Sequence, residues 1–368
     1  MKKKVLICVP DLGICNGVTS FIMAFYDSLI QHGYNIDFLL VMHDNVEMEP
    51  YVLDKGSKVF KVPIAFKYDK KRTEYIDEVF RTGQYDMVHV NFPGPNGAMV
   101  LKAAIKYGVK YRIYHCHNPI NDLNLKALIS ENVFTPICRN RANKYVACSK
   151  MAGKSIFKDK EFEVINNAIM PEKFLFDGSA RERIREHFGV QDKLVIGVAG
   201  RITDQKNPGF ILDIFDEIHK MRTDAVLLWV GDGERLAFVN EQCQEKGIQD
   251  SVLLVGRQSN VREWYSAMDI FLLPSKFEGL GIVYLEAQAN GLLCFGSDKV
   301  PEETEVTDLM HRLSLRQSAK EWAIEILEAY EKQPEKHCVD ISLFAKRGFD
   351  INQIRDKLFE MYESCFDE

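Results

Sequence analysis

The chain has 368 residues, of which 46% are hydrophobic and 27% are charged, a composition that is ordinary for a globular protein. This length suits two domains of about 170 to 190 residues. The net charge of −6 excludes a strongly basic nucleic-acid-binding protein, and the apolar runs are too short for a membrane span. The nine cysteines contain no CxxC pair, which argues against a disulfide framework or a zinc site and favours the reducing cytosol.

The charge is distributed unevenly along the chain. Residues 1–166 carry 23 Lys and Arg against 17 Asp and Glu, a net +6, whereas the remainder carries 24 against 36, a net −12. Within the positive half, Phe66–Arg72 contains four cations and two aromatic residues. We therefore expect a cytoplasmic protein that attaches peripherally to the anionic inner face of the cell membrane. A solvated charged loop is the alternative.

Short β-rich apolar runs alternate with helix-like spacing in both halves, which is typical of βαβ units with parallel sheets. The predicted strands are Lys4–Val9, Ile36–Val41, Met87–Val90, Tyr111–His115, Lys144–Ala147, Leu194–Ala199, Ala225–Val230, Val252–Val255, Ile270–Leu273 and Leu292–Phe295. Helices are predicted for Thr19–Gln31, which is closed by Gly33, and for Pro208–Met221, with proline in its first turn. The fold class is therefore α/β, with two parallel sheets of similar size.

The domain boundary is predicted within Ile165–Pro171, where an extended run meets turn residues and a proline. This division gives a first domain of residues 1–166 and a second of residues 167–349. The final segment, about 350–368, has an apolar stripe at helical spacing, so we expect it to dock onto a domain. The stripe consists of Ile351, Ile354, Leu358, Met361, Tyr362 and Cys365.

The loop after the predicted strand Ile270–Leu273 is the most informative segment. It supplies a carboxylate and two glycines, in Glu278-Gly279-Leu280-Gly281, just before a predicted helix. Glycines at such a turn let backbone N–H groups approach an anion, and the helix N-terminus favours negative charge. Glu286 follows six residues after Leu280, an advance of roughly 9 Å along a helix. Two carboxylates so placed fit an extended nucleotide sugar, one near its sugar and one near its ribose; a loop acid and a capped helix are the alternative.

Two cations follow another predicted strand. Gly200-Arg201 comes directly after Leu194–Ala199, and Lys206 comes just before the helix that begins at Pro208. An Arg fork and a mobile Lys charge beside a helix N-terminus suit the neutralisation of a diphosphate. The alternative is that both are solvated surface residues.

Other loops carry weaker signals. Gly13 and Gly17 lie in a glycine-bearing loop after the first strand, although GxGxxG is absent. Gly231–Glu234 reads as a tight turn, and Gly256–Val261 could offer backbone groups to a nucleobase; both are also compatible with plain connecting loops. His115 and His117 end the fourth strand, and we expect them to point to opposite faces, one structural and one reaching a cleft.

Metal-binding, hydrolase and kinase functions are not supported, because the motifs typical of them are absent. No Asp-x-Asp triplet is present to hold Mg²⁺ or Mn²⁺, and no HxxxH pair or clustered carboxylate accompanies His115 and His117 to hold Zn²⁺, so no metal site is predicted. Neither Gly-x-Ser-x-Gly nor a P-loop lysine motif is present, which argues against hydrolase and kinase functions.

Taken together, Arg201, Lys206, the Glu278–Gly281 loop and Glu286, which closes an E-x7-E pair, resemble the retaining glycosyltransferases of family 4 with the GT-B fold. The resemblance covers essentially the whole chain. More narrowly, Asn16-Gly17-Val18, His115–Asn118 and Pro301-Glu302-Glu303 look like bacterial exopolysaccharide and capsule glycosyltransferases. The resemblance to the family implies two Rossmann-like domains facing across a cleft. The N-terminal domain would face the acceptor and be completed by the C-terminal helix, and the second would bind the donor.

The resemblance also implies roles for individual residues. Catalytic roles fall to Arg201, Lys206, Glu278 and His117: the two cations would grip the donor diphosphate, Glu278 would bind sugar hydroxyls, and His117 would lie near the reacting centre. Glu286 would hold the ribose. The remaining donor-binding positions are Gly17, whose loop would close over the phosphates, Gly200, Gly256, Val261, Gly279, Leu280 and Gly281. Two residues depart from the family pattern: Ala168 replaces a linker glycine, and Asn16-Gly17 replaces a double glycine.

The reaction so implied is a retaining transfer that needs neither metal nor bound cofactor. A hexose or N-acetylhexosamine would move from a nucleotide diphosphate sugar, a UDP-sugar, to a hydroxyl of a lipid-linked or oligosaccharide acceptor in exopolysaccharide or capsule biosynthesis. A nucleotide-sugar epimerase with the same fold is one alternative. A non-catalytic nucleotide-sugar-binding partner of a transferase is the other.

Overall fold

The structure, a computed structural model, describes residues 3–13, 17–42, 45–63, 70–117, 125–333 and 337–367, with backbone only for 125–131 and 367. The chain forms two compact units. One comprises Met1–Asn167 together with Ile351–Glu368, and the other comprises Ala168–Asp350. Each contains a parallel sheet flanked by helices, so the α/β class and the two Rossmann-like units are confirmed.

The first unit contains a seven-stranded sheet with the order β3-β2-β1-β4-β5-β6-β7. Its strands are β1 (Lys4–Val9), β2 (Asn35–Leu40), β3 (Val59–Lys61), β4 (Met87–Val90), β5 (Tyr111–Cys116), β6 (Lys144–Ala147) and β7 (Glu163–Val164). Its helices up to the boundary are α1 (Gly17–Gln31), α2 (Glu49–Asp54), α3 (Lys70–Gly83), α4 (Gly94–Lys106), α5 (Leu125–Arg141) and α6 (Lys150–Phe157).

The second unit contains a six-stranded sheet with the order β10-β9-β8-β11-β12-β13. Its strands are β8 (Leu194–Ala199), β9 (Ala225–Val230), β10 (Val252–Leu254), β11 (Ile270–Leu273), β12 (Leu293–Ser297) and β13 (Met310–Leu313). Its helices are α7 (Gly178–Phe188), α8 (Pro208–Met221), α9 (Leu236–Lys246), α10 (Val261–Ala267), α11 (Ile282–Ala289), α12 (Ala319–Lys332) and α13 (Ser342–Lys346). Short 3-10 turns lie at Pro171–Phe174, Asp204–Lys206, Gln249–Ser251 and Glu302–Thr304.

Central strands are apolar without alternation because helices cover both faces of a parallel sheet. Every residue from Val5 to Val9 in β1 and from Leu194 to Ala199 in β8 is buried. Parallel pairing also gathers the carboxyl ends of adjacent strands at one edge of each sheet. Cys8 lies in register with Val90, and Ala199 with Val230. The loops that follow these strands are therefore neighbours.

The last helix, α14 (Ile351–Asp367), belongs to the first unit. The six residues of its predicted apolar stripe are all buried. Glu363 accepts hydrogen bonds from Lys3 Nζ at 2.5 Å and from the Tyr34 hydroxyl at 2.5 Å, and Lys357 Nζ donates to the carbonyl of Val164 at 2.6 Å. The end of the chain thus closes onto the unit in which the chain began.

Among the helices that the structure describes, none combines the length and apolar character that crossing a bilayer requires.

Candidate functional site

The loops after β8, β9 and β10 are joined by backbone hydrogen bonds. Gly200 N donates to Val230 O at 3.0 Å, and Gly231 N donates to Gly256 O at 2.9 Å. Gly231 has φ +147°, and a Cβ there would lie 2.0 Å from the carbonyl oxygen of Gly200. Only glycine lets these loops approach so closely. Two of the predicted donor-binding glycines, Gly200 and Gly256, are thus brought together on either side of Gly231.

Lys206 and Glu278 form an ion pair between two loops. Lys206 ends the 3-10 turn Asp204–Lys206, and its Nζ lies 2.5 Å from Glu278 Oε1. The Ser275 hydroxyl donates to the same oxygen at 2.6 Å, and Gln205 Nε2 donates to Glu278 Oε2 at 3.3 Å. The exposed fractions of the Lys206 and Glu278 side chains are 14% and 6%. The family resemblance implies that Lys206 binds the diphosphate and that Glu278 binds the sugar. In the structure the two side chains form an ion pair with each other.

Arg201 differs from Lys206 in its surroundings. It directly follows Gly200 and is exposed, and within the described residues no ion pair is recorded for it. Because the Lys206 charge is already balanced by Glu278, the exposed Arg201 adds a further positive charge at this edge of the sheet. An exposed guanidinium is available to a diphosphate as a bidentate donor.

The Gly279–Gly281 segment leads directly into α11. Gly281 has φ +81°, and a Cβ there would lie 2.7 Å from the ring of Tyr284. Leu280 is 1% exposed and packs in an apolar cluster with Leu285 and Phe344. Its side chain therefore belongs to the core, and its contribution to a ligand would come from the backbone. In the first turn of α11, Tyr284 N donates to Gly281 O at 3.0 Å, so the N–H groups of Ile282 and Val283 are those that this helix N-terminus offers to an anion.

Glu286 lies within α11, half-buried, and accepts a hydrogen bond from the Tyr265 hydroxyl at 2.7 Å. Tyr265 is fully buried and packs edge-on against Phe271. Burial raises the pKa of Glu286 to about 7, although the Tyr265 hydrogen bond acts in the opposite direction. The carboxyl group is thus held in one orientation and titrates near neutrality.

The shifted pKa of Glu286 gives a testable stability effect. A carboxyl whose pKa is higher in the folded state stabilises the fold at low pH, and that stability is lost as pH rises toward about 7. Glu286→Gln removes the cost of burying the charge, so we expect it to raise the free energy of unfolding by about 2 kcal/mol at pH 8 and by much less at pH 5.

Urea unfolding at the two pH values measures this difference in the free energy of unfolding. Glu241→Gln, at an exposed position of α9, is the matched control and should show no such dependence. An equal effect of Glu286→Gln at both pH values would contradict a raised pKa.

The remaining predicted positions of the second unit lie at the β10 end. Gly256 adopts φ +68°, and Val261 is the first residue of α10. Gln258 Nε2 donates to Val255 O at 2.8 Å, which closes the loop between them. This loop adjoins Gly231 through the Gly256 carbonyl.

Gly17 and His117 lie in the first unit. Gly17 is the first residue of α1 and is exposed, while Asn16 and Asn118 lie outside the described residues. His117 follows β5, and its Nε2 lies 2.9 Å from Asn91 Oδ1. The expectation that His115 and His117 point to opposite faces is wrong, since their rings stack with centroids 4.0 Å apart. Residues i and i+2 of an extended chain share a face.

Sequence reasoning missed the residues that support the predicted ones. These are Ser275 and Gln205 around Glu278, Tyr265 beside Glu286, and Asn91 beside His117. Tyr265 and Glu286 are 21 residues apart, and Asn91 and His117 are 26 apart. No short spacing rule links such pairs, because the fold brings them together from neighbouring elements. In the part of the chain that the structure describes, no group of three His, Cys, Asp or Glu side chains is arranged to hold a metal ion.

Comparison with known proteins identifies the class to which the chain belongs. The family model for glycosyl transferases group 1 matches residues 180–346, and that for glycosyltransferase family 4 matches residues 15–173. The chain is a glycosyltransferase, built from a family 4 domain followed by a group 1 domain.

Individual proteins resemble the chain over most of its length. EpsF of Bacillus subtilis (strain 168), which is named as a glycosyltransferase, is 26% identical over 358 residues, 94% of this chain and 93% of EpsF. The Escherichia coli UDP-Gal:alpha-D-GlcNAc-diphosphoundecaprenol alpha-1,3-galactosyltransferase is 24% identical over 309 residues, 79% of this chain and 78% of that enzyme. The crystal structure of Anabaena HepE in complex with UDP and glucose has a TM-score of 0.81 at 16% identity, covering 99% of this chain and 100% of HepE.

Proposed function

We propose that this glycosyltransferase moves a sugar from a UDP-sugar to a hydroxyl of a lipid-linked acceptor, with retention of anomeric configuration and without a metal, in exopolysaccharide or capsule biosynthesis. The observation that carries the proposal is the edge of the second sheet. There the exposed Arg201, the paired Lys206 and Glu278, the glycine loops and the N-terminus of α11 follow neighbouring strands.

The donor assignment is supported by this chemistry and by the similar proteins. A diphosphate is an anion that Arg201 and the N–H groups of α11 can bind, and Glu286 offers a carboxyl to ribose hydroxyls. HepE binds UDP and glucose, and the E. coli relative is named for a UDP-sugar donor and a diphosphoundecaprenol acceptor. A UDP-sugar and a polyprenyl-diphosphate-linked acceptor are therefore the first substrates to test.

The proposed chemistry follows from the leaving group. Breaking the anomeric bond builds negative charge on the β-phosphate oxygen, which Arg201 and the α11 N–H groups would stabilise without reorganisation. Glu278 would hold the Lys206 ammonium in place, and the positive charge of Lys206 would interact with both Glu278 and the phosphate. The acceptor hydroxyl would attack from the face the diphosphate leaves, and the departing phosphate would take its proton. This route needs no second carboxylate opposite the sugar, in contrast to retaining glycosidases.

The donor can be identified by thermal stabilisation. We expect a UDP-sugar to raise the melting temperature of the wild-type protein more than GDP- or ADP-sugars do, because ligands that bind only the folded state stabilise it. Arg201→Ala should weaken this shift, whereas Arg222→Ala should not, since Arg222 precedes β9 at the opposite edge of the sheet and pairs with Asp224. Incubation of the donor alone should give no isomer; an isomerised donor would favour the epimerase instead.

Metal independence is a separate prediction. We expect transfer to continue at an unchanged rate in EDTA, because Arg201 and backbone donors would do what a divalent cation does elsewhere. Product formation with and without chelator measures this. Activity that EDTA abolishes and Mn²⁺ restores would overturn it.

We also propose that the first unit attaches to anionic membranes through the segment Phe66–Arg72. Residues 66–69 lie outside the described residues. Of the rest, Lys70 and Lys71 are exposed at the start of α3, whereas Arg72 Nη2 donates to Asn96 Oδ1 at 2.8 Å. Arg72 is thus held by α4, whereas the side chains of Lys70, which pairs with Glu74, and of Lys71 lie at the surface.

Vesicle sedimentation tests this attachment. Wild-type protein should bind phosphatidylserine-containing vesicles at low salt better than neutral ones, and Lys67→Ser/Lys70→Ser/Lys71→Ser should lose most of that binding, since each cation contributes on the order of 1 kcal/mol. The matched control is Lys320→Ser/Lys332→Ser, because the Lys332–Glu328 pair resembles the exposed Lys70–Glu74 pair. Equal binding by both variants would exclude the segment as the attachment site.

A further inference from the structure

A buried chain of polar side chains lies behind His117 in the first unit. The Tyr362 hydroxyl, from α14, lies 2.6 Å from His89 Nδ1 in β4, and His89 Nε2 lies 3.1 Å from His115 Nδ1 in β5. The His115 ring stacks on His117 with centroids 4.0 Å apart. Tyr362, His89 and His115 are fully buried, yet the proposed transfer assigns them no role.

Asn91, the residue after β4, determines which nitrogen of His117 carries hydrogen. Asn91 Nδ2 lies 3.2 Å from the carbonyl oxygens of Cys8 and His89, so the amide nitrogen is committed to these two acceptors. Oδ1 must then face His117 Nε2, at 2.9 Å. Because an amide oxygen only accepts, Nε2 carries the hydrogen and Nδ1 keeps a lone pair.

The surroundings keep His117 neutral. Burial lowers the pKa of His117 and of His89 to about 3, and burial together with the neighbouring imidazoles lowers that of His115. The titratable groups recorded around His117 are these two histidines and Cys148, whose thiol donates to the His117 carbonyl at 3.2 Å. The Phe21 ring also packs edge-on against His117. No anion among these groups would stabilise an imidazolium.

The Nδ1 atom of His117 is left buried and without a hydrogen-bond partner among the described residues. A buried acceptor without a donor is costly, and such atoms in native proteins call for an explanation. A neutral imidazole nitrogen with a free lone pair accepts a hydrogen bond from a hydroxyl group.

We propose that Asn91 is a positioning residue that holds neutral His117 as the Nε2–H tautomer and thereby reserves Nδ1 as an acceptor for a substrate hydroxyl. The chain from Tyr362 packs behind this arrangement: with the tyrosine hydroxyl as donor to His89 Nδ1, His89 Nε2–H donates to His115 Nδ1, and the His115 ring stacks on His117. The claim that the ligand at Nδ1 carries a hydroxyl group rests on the proposed function, whereas the tautomer of His117 is independent of it.

Nitrogen-15 NMR of the histidine rings in the wild-type protein, without donor or acceptor, tests the tautomer directly. His117→Gln identifies the His117 signals among those of the nine histidines. We expect the neutral Nε2–H pattern throughout pH 5 to 8. An Nδ1–H pattern, or an imidazolium at pH 6, would overturn the proposal even if sugar transfer is confirmed.

Asn91→Asp tests the positioning role in the enzyme. A carboxylate beside Nε2 favours the imidazolium, which has no lone pair at Nδ1. We expect kcat/KM of this variant to fall severalfold further than that of wild type between pH 8 and pH 5, while the control Asn143→Asp, whose amide bonds the distant Lys110 and Arg112 backbone, follows wild type. A profile for Asn91→Asp that follows wild type would refute the role of Asn91. If Asn91→Asp does not fold, the wild-type NMR result decides.

Discussion

Arg201→Ala is expected to lower kcat more than tenfold while leaving the melting temperature close to that of wild type. Arg201 is exposed and, within the described residues, has no recorded ion pair, so the fold does not depend on it. Its charge would act on the phosphate as the anomeric bond breaks, an interaction that is stronger in the transition state than in the ground state. Steady-state kinetics with saturating donor, together with a thermal melt, separates these effects.

Lys206→Ala provides the informative contrast. It should also lower kcat more than tenfold, but it leaves the buried Glu278 without its cation, so we expect the free energy of unfolding to fall by about 2 kcal/mol. Arg222→Ala is the control for both variants and should preserve kinetics. Unchanged turnover in folded Arg201→Ala and Lys206→Ala proteins would show that neither residue takes part in the transfer.

Gly231→Ala is expected to abolish donor binding and to lower the free energy of unfolding by at least about 2 kcal/mol. An added Cβ would lie 2.0 Å from the carbonyl oxygen of Gly200, and φ is +147°. The loops after β8 and β9 must then separate, which breaks the hydrogen bond from Gly231 to Gly256. Thermal stabilisation by UDP-sugars and urea unfolding measure the two losses.

Gly247→Ala is the matched control for strain alone. Gly247 ends α9 with φ +67°, and no heavy atom lies within 4 Å of a Cβ built there. It should cost about 1 kcal/mol of stability and leave donor binding intact. Donor binding by Gly231→Ala at wild-type strength would show that the three loops do not act as one site.

The central strands were predictable because burial on both faces leaves uninterrupted apolar runs. β1, β4, β6 and β8 have the predicted limits, and so do β9 and β11. The edge strands β3, β7 and β13 were missed because charged residues interrupt their short runs, whereas the edge strand β10, whose run is wholly apolar, was predicted. Local hydrophobicity therefore predicts a strand at the edge of a parallel sheet only where its run is uninterrupted.

The residues of the candidate site also differ in how far the sequence could predict them. Residues in local motifs, such as Glu278 with Gly279 and Gly281, were visible because strand, loop and helix follow one another in the chain. The Lys206–Glu278 ion pair spans 72 residues, and the chain from Tyr362 to His89 spans 273. Such contacts arise only when strands are placed side by side, so the sequence could suggest the participants but not their pairing.

One measurement tests the central claim most directly: the fate of a labelled sugar supplied as a UDP-sugar, with a polyprenyl-diphosphate-linked acceptor and EDTA present. We expect one UDP released for each sugar transferred, and a product whose anomeric configuration, determined by NMR, matches that of the donor. An inverted linkage, an isomerised donor without transfer, or no transfer from any UDP-, GDP- or ADP-sugar would contradict the proposed function.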